Sequence, residues 1–284
     1  MARIIAGIGT SHVPSIGAVY DQGRAGEPAW KPLFDGYVPV RRWLDEIRPD
    51  VAIVVYNDHG ADFFFDKYPT FALGAADAYE LADEGFGRRP LPDFRGNAEF
   101  SWHLAQSLVY DEFDMTVCQE MKVDHGFLVP MHLCFAHEPD WPLAVVPLAV
   151  NVIQHPLPTA RRCYKLGQAL RRAAASYPDD LKIVILGTGG MSHQLHGKRF
   201  GHLNEAWDNE FLDRLEFEPG ALADITHHEI MEHAGAEAVE VIMWLAMRGA
   251  LADPVRRVQR NYYAPFTTGM GLIALADGAA EMPI

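Results

Sequence analysis

RIIAGIGTSH, residues 3–12, is a β-branched apolar run that passes through small residues and ends in a histidine. The same grammar returns in VAIVVYNDH (51–59) and IVILGTGGMSH (183–193), and more weakly in MTVCQEMKVDH (115–125). Short apolar runs of this kind, Arg3 to Ile8, Val51 to Tyr56, Leu143 to Val152 and Lys182 to Leu186, read as buried strands. Between them, stretches of helical period occur near 36–47, 98–110, 159–176, 203–215 and 235–249. Strands alternating with helices predict an α/β layered fold. No repeat, low-complexity tract or composition break divides the chain. The Gly- and Pro-rich region around 79–97 reads as one long surface or active-site loop.

Composition narrows the functional classes. Of 284 residues, 49% are apolar and 22% charged, enough for a packed core. Lys and Arg number 24 against 38 Asp and Glu, a net charge of −14. Such a surface repels phosphate backbones and anionic bilayers, so neither nucleic acid nor a membrane is an expected partner. No apolar run reaches the roughly 18–20 residues of a membrane span, and the first residues lack the pattern of a signal peptide. Three cysteines, Cys118, Cys134 and Cys163, form no CxxC and suit a reducing cytoplasm.

The histidines carry the chemistry. In open α/β sheets the carboxyl ends of strands converge on one crevice. His12, His59, His193 and His125 therefore stand where four distant segments meet, although each one alone also suits a loop histidine bonded to a carbonyl. The segment 235–249 adds a carboxylate. At 100° per residue, Trp244 and Met247 fall within about 40° of Glu240. An ionised group on that apolar stripe needs a counter-charge or a cation. Glu237 and Arg248 fall together to one side and are expected to pair. Two histidines and one carboxylate suit mononuclear Fe(II) with open positions; zinc is equally allowed by ligand type. HExxH, GxGxxG, a P-loop and a GxSxG elbow are all absent.

The segments TSHVP (10–14), VYNDH (55–59), ADEGFGRRPLPD (82–93), DEFDMT (111–116), VDHG (123–126), GTGGMSHQL (187–195) and EAVEVIMWLAMRGAL (237–251) resemble the β subunits of protocatechuate 4,5-dioxygenase, the class II extradiol dioxygenase family. The resemblance runs over nearly the whole chain. It implies one catalytic domain over 1–284, a three-layer α/β/α fold with a central sheet and the active site at the strand carboxyl ends. It implies Fe(II) held by His12, His59 and Glu240, with His193 as acid–base group and His125 as a second active-site histidine. The implied substrates are O2 and a catechol-type aromatic acid such as protocatechuate or gallate. Ring opening outside the diol gives a hydroxymuconic semialdehyde-type product. Asp58 and Asp124, each preceding a site histidine, are expected to orient imidazoles or to cap their loops.

One segment departs from the family pattern. YYAPFTTG (262–269) matches the region that holds the substrate carboxylate, where Ser-Asn-Thr is expected; here Thr267 and Thr268 offer two hydroxyls and no amide. The preferred acid is accordingly open among gallate, a methylated gallate and other catechol acids. The family also implies a small helical α subunit and a homo- or hetero-oligomer. A metal-dependent hydrolase on the same ligand set and a non-catalytic binder of aromatic acids are the competing readings.

Overall fold

The computed structural model describes residues 1–279. In chain order the elements are β1 (Arg3–Thr10), α1 (Pro14–Asp21), α2 (Lys31–Ile47), β2 (Val51–Tyr56), β3 (Phe71–Gly74), β4 (Ala78–Leu81), β5 (Phe94–Arg95), α3 (Ala98–Tyr110), β6 (Thr116–Cys118), β7 (Lys122–Val123) and α4 (His125–Cys134). There follow β8 (Ala144–Val150), α5 (Ala160–Ala175), β9 (Lys182–Thr188), α6 (Glu205–Phe217), α7 (Pro219–Leu222), α8 (His227–Ala234), α9 (Ile242–Gly249), β10 (Arg256–Tyr263) and β11 (Met270–Ala276). Short 3-10 turns span Gly197–Arg199 and Glu237–Val241.

Eight strands form the central sheet in the order β10-β11-β1-β9-β2-β8-β3-β6. The middle four, β1, β9, β2 and β8, run parallel. Their apolar runs are continuous because both faces are covered. In β2, Val51, Ile53 and Val55 face the layer of α3, α5 and α9, while Ala52, Val54 and Tyr56 face α1, α2 and α4. In β9, Ile183 and Ile185 oppose Val184 and Leu186 in the same way. The fold is thus the expected α/β/α sandwich.

Local chemistry sets the flanking helices. Asn97 caps α3 by accepting the Phe100 N–H at 3.1 Å, and Thr159 caps α5 through the Arg162 N–H at 3.1 Å. Helix α5 buries Cys163, Leu166, Leu170 and Ala173, spaced three or four apart, against the sheet. Helix α9 is buried on every side. Gly9 in β1 admits it, since a Cβ there would lie 2.4 Å from the Trp244 ring.

Three differences from the sequence expectation stand out. Part of 79–97 is strand, because β4 pairs with β5 and with β7 in a small three-stranded sheet. The segment at 235–249 begins as a 3-10 turn before becoming α9. Glu237 and Arg248 do not pair: Glu237 meets His196 at 2.6 Å. Arg248 is fully buried, donating to the Leu215 carbonyl at 2.9 Å, to the Glu216 carbonyl and to Asp253.

Candidate metal centre

The four histidines meet as the strand ends predict. His12 follows β1 and His59 follows β2, His193 ends the turn after β9, and His125 opens α4. Glu240, in the 3-10 turn before α9, faces three of them. Its Oε2 lies 3.3 Å from His12 Nε2 and 4.0 Å from His193 Nε2, and its Oε1 lies 3.8 Å from His59 Nε2. One donor atom each from His12, His59 and Glu240 fall within 4.8 Å of one another. The His59 ring stacks on His125 at 4.0 Å and meets His12 edge-on at 5.1 Å.

Each imidazole is held by its other nitrogen. His12 Nδ1 is 3.0 Å from Thr188 Oγ1. His59 Nδ1 is 2.9 Å from Asp124 Oδ2, which also accepts the His59 backbone N–H at 2.7 Å. A carboxylate behind an imidazole fixes its orientation and raises its basicity. His193 Nδ1 lies 2.7 Å from the Met191 carbonyl. A carbonyl only accepts, so Nδ1 carries a proton and Nε2 is the nitrogen left facing Glu240.

Glycines bring the acid to the histidines. The Gly190 N–H donates to Glu240 Oε2 at 2.7 Å. Gly189 has φ +135°, and a Cβ on it would lie 2.7 Å from that of Glu240.

The electrostatics centre on a buried carboxylate among imidazoles. Burial alone would raise the Glu240 carboxyl, yet the facing imidazoles of His12, His59 and His193 hold it well below the ordinary carboxylate range. Burial lowers His12 against the opposing pull of Glu240. Burial also disfavours charge on His59, but Asp124 and Glu240 outweigh it and raise the ring, while Asp124 is lowered in return. Among the described residues no Lys or Arg forms an ion pair with Glu240; its partners are imidazoles and one backbone N–H. Two imidazole nitrogens and a carboxylate oxygen, side by side and without a basic side chain, fit a divalent metal ion.

The remaining expected residues divide. Asp124 orients His59, not the His125 that follows it, and caps α4 through the Gly126 N–H at 2.9 Å. Asp58 turns away from the imidazoles and accepts the N–H groups of Gly60, Ala61, Asp62 and Phe63 at 3.0–3.1 Å, capping its loop. Thr268 is buried and its backbone bridges that of His193; Thr267 beside it is partly buried. Phe64 and Phe65, in the loop after His59, are 54% and 82% exposed.

Four contributors escaped the sequence reading. Thr188 lies inside the GTGG segment but draws no attention without its histidine partner. Asn57 Nδ2 is 3.0 Å from His59 Nε2. Glu84, in the loop after β4, contacts His125 Nδ1. Asp208 is fully buried below the His193 turn, accepting Ser192 N–H at 2.8 Å, Ser192 Oγ–H at 2.6 Å and the Tyr262 hydroxyl at 2.7 Å. Thr188, Glu84 and Asp208 come from distant segments, and only folding brings them to the site.

Several known proteins are similar to this chain. Gallate dioxygenase of Pseudomonas putida is 48% identical over 203 residues, covering 72% of this chain and 60% of that protein, so the chain spans three-fifths of its length. The 2,3-dihydroxyphenylpropionate/2,3-dihydroxicinnamic acid 1,2-dioxygenase of Burkholderia vietnamiensis is 29% identical over 256 residues, covering 75% and 78%. A crystal structure of an uncharacterized protein from Escherichia coli K12 shares the fold with a TM-score of 0.55 at 14% identity, covering 96% of this chain and all of that one. The family described as "Catalytic LigB subunit of aromatic ring-opening dioxygenase" matches residues 6–273, nearly all of the sheet and every candidate ligand, and the chain belongs to that family.

Proposed function

We propose that residues 1–284 form one catalytic domain that opens the ring of a catechol-type aromatic acid, such as gallate or protocatechuate, by Fe(II)-dependent extradiol cleavage with O2. The observation that carries the proposal is the convergence of His12 Nε2, His59 Nε2 and a Glu240 carboxylate oxygen, with His193 Nε2 aimed at the same point. The similarity to a gallate dioxygenase supports the substrate class.

In this reading His12, His59 and Glu240 would hold the iron, which when bound would supply redox chemistry between the diol and O2. The chain supplies proton handling and orientation. His193 Nε2, free to accept because Nδ1 is committed to Met191, takes a proton from a substrate hydroxyl. It returns that proton as the ring opens. His125, whose ring stacks on His59 at 4.0 Å, is a second imidazole placed to exchange a proton with the substrate. Thr268 and Thr267, beside His193, bind the substrate carboxylate with hydroxyl donors. Asp124 keeps the His59 ring turned toward the metal position.

The loops that carry these groups also present Phe64, Phe65, Phe86, Phe200 and Phe266 to solvent. An apolar rim round a polar site marks a covered surface. A small helical α subunit, in a homo- or hetero-oligomer, suits this rim. No helix among the described residues is long and apolar enough to cross a membrane. Three unpaired cysteines support a cytoplasmic location.

The test is oxygen uptake by protein loaded anaerobically with Fe(II), over a panel of catechol acids. Oxygen consumption with a yellow ring-opened product is expected. Activity with Zn(II) but not Fe(II) refutes the proposal in favour of hydrolase chemistry.

A further inference from the structure

Glu84 reaches a site histidine, His125, from 41 residues away in sequence. Its carboxylate contacts His125 Nδ1 through Oε1 and accepts the His125 backbone N–H through Oε2 at 3.1 Å. The fold delivers it there by register. Strands β4 and β7 run parallel, with Glu80 opposite Lys122 and Leu81 opposite Val123. The Ala82 N–H continues the ladder to the Val123 carbonyl at 2.9 Å. Two residues on from each anchor stand Glu84 and His125.

The loop beyond is built to hold this position. Asp83 Oδ1 accepts the N–H groups of Gly85 and Gly87 at 2.9 and 3.0 Å. Arg89 clamps the far side to both oxygens of Asp21 at 2.6 Å and to His132 Nδ1 at 2.7 Å.

We infer that Glu84 is a positioning residue for ring cleavage. Its carboxylate accepts the proton on His125 Nδ1, fixes that tautomer and leaves Nε2 as the only nitrogen of His125 available to substrate. A helix-capping role alone would use the backbone N–H and leave the ring unclaimed. The inference rests on the ring-cleavage reading for its kinetic consequence but not for its structural one. A carboxylate accepts only, so the ring nitrogen it meets must donate. An imidazole freed from such a partner rotates and samples both tautomers.

The experiment has two arms. In metal-free protein labelled with 15N-histidine, the His125 signals are assigned by their loss in His125→Asn. Wild type is expected to show a protonated Nδ1, and Glu84→Gln and Glu84→Ala a mixture of tautomers. In iron-loaded protein both variants are expected to lose kcat by about 10- to 100-fold, as on loss of a carboxylate that orients a site imidazole, with KM and iron content close to wild type. The inference is overturned by a His125 ring with the same tautomer in wild type and variants, or by an unchanged kcat. If Glu84→Ala does not fold, Glu84→Gln, which preserves shape, decides the question. If iron-loaded wild type consumes no O2 with any catechol acid, the ring-cleavage reading falls while the NMR arm still decides the role of Glu84.

Discussion

Replacing Asp124 by Asn tests the link between second carboxylate and metal. Asp124 uses both oxygens: Oδ2 takes the His59 ring at 2.9 Å and its backbone N–H at 2.7 Å, and Oδ1 takes the Gly126 N–H at 2.9 Å. An amide has one acceptor oxygen where the carboxylate has two. If the Asn oxygen faces His59, its NH2 confronts the Gly126 N–H and the α4 cap is lost, at a cost of about 0.5–2 kcal/mol. If it faces Gly126, its NH2 confronts His59 Nδ1 and drives the ring proton to Nε2, where a metal must bind. Removing a carboxylate partner from a metal-binding imidazole lowers metal affinity by about 10- to 100-fold, or about 1.4–2.7 kcal/mol. Chelator-competition titration of metal-free protein measures this directly. Asp58→Asn is the control: its carboxylate serves only the loop backbone, so melting temperature falls while metal affinity stays near wild type. Equal affinities for Asp124→Asn and wild type, or an equal loss in both variants, would refute the assignment.

Three further outcomes are expected. His193→Ala should retain its metal and lose about 10²- to 10⁴-fold in kcat, read by oxygen uptake beside metal analysis. Gly189→Ala forces a side chain into φ +135° against Glu240 and should cost about 1–3 kcal/mol with loss of metal affinity, measured by chemical denaturation and titration. His132 is buried, and burial, reinforced by Arg89, lowers its pKa from 6.5 to about 3. The unfolded chain therefore binds this proton first as pH falls, so stability held above pH 6.5 is lost below it. The loss is about 1.4 kcal/mol per pH unit, and denaturation from pH 7 to 5 should show a shallower slope for His132→Asn.

The parallel centre of the sheet was legible because burial on both faces leaves an unbroken apolar run. Val51–Tyr56 matches its strand residue for residue. The outer strands hid for the opposite reason. RRVQRNYY in β10 is an edge, half exposed and rich in charge, so no run marks it. Helix α4, HGFLVPMHLC, is buried almost throughout and lacks the two-faced period that announces a helix. The histidines were found because strand ends share an address in space. The direction of Glu240 survived the 3-10 turn, but the pairing of Glu237 with Arg248 did not, since eleven residues of assumed regular helix carried the error. Glu84 meets His125 from 41 residues away, and only the β4–β7 register makes them neighbours.

The order of β11-β1-β9 has a consequence for birth of the protein. Strand β1 is made before both of its neighbours in the sheet, Lys182–Thr188 and Met270–Ala276. His12 therefore waits, unpaired on a bare strand, through most of translation. The cluster of His12, His59 and Glu240 cannot be assembled piecemeal on the nascent chain, and metal loading belongs after synthesis of the last strand.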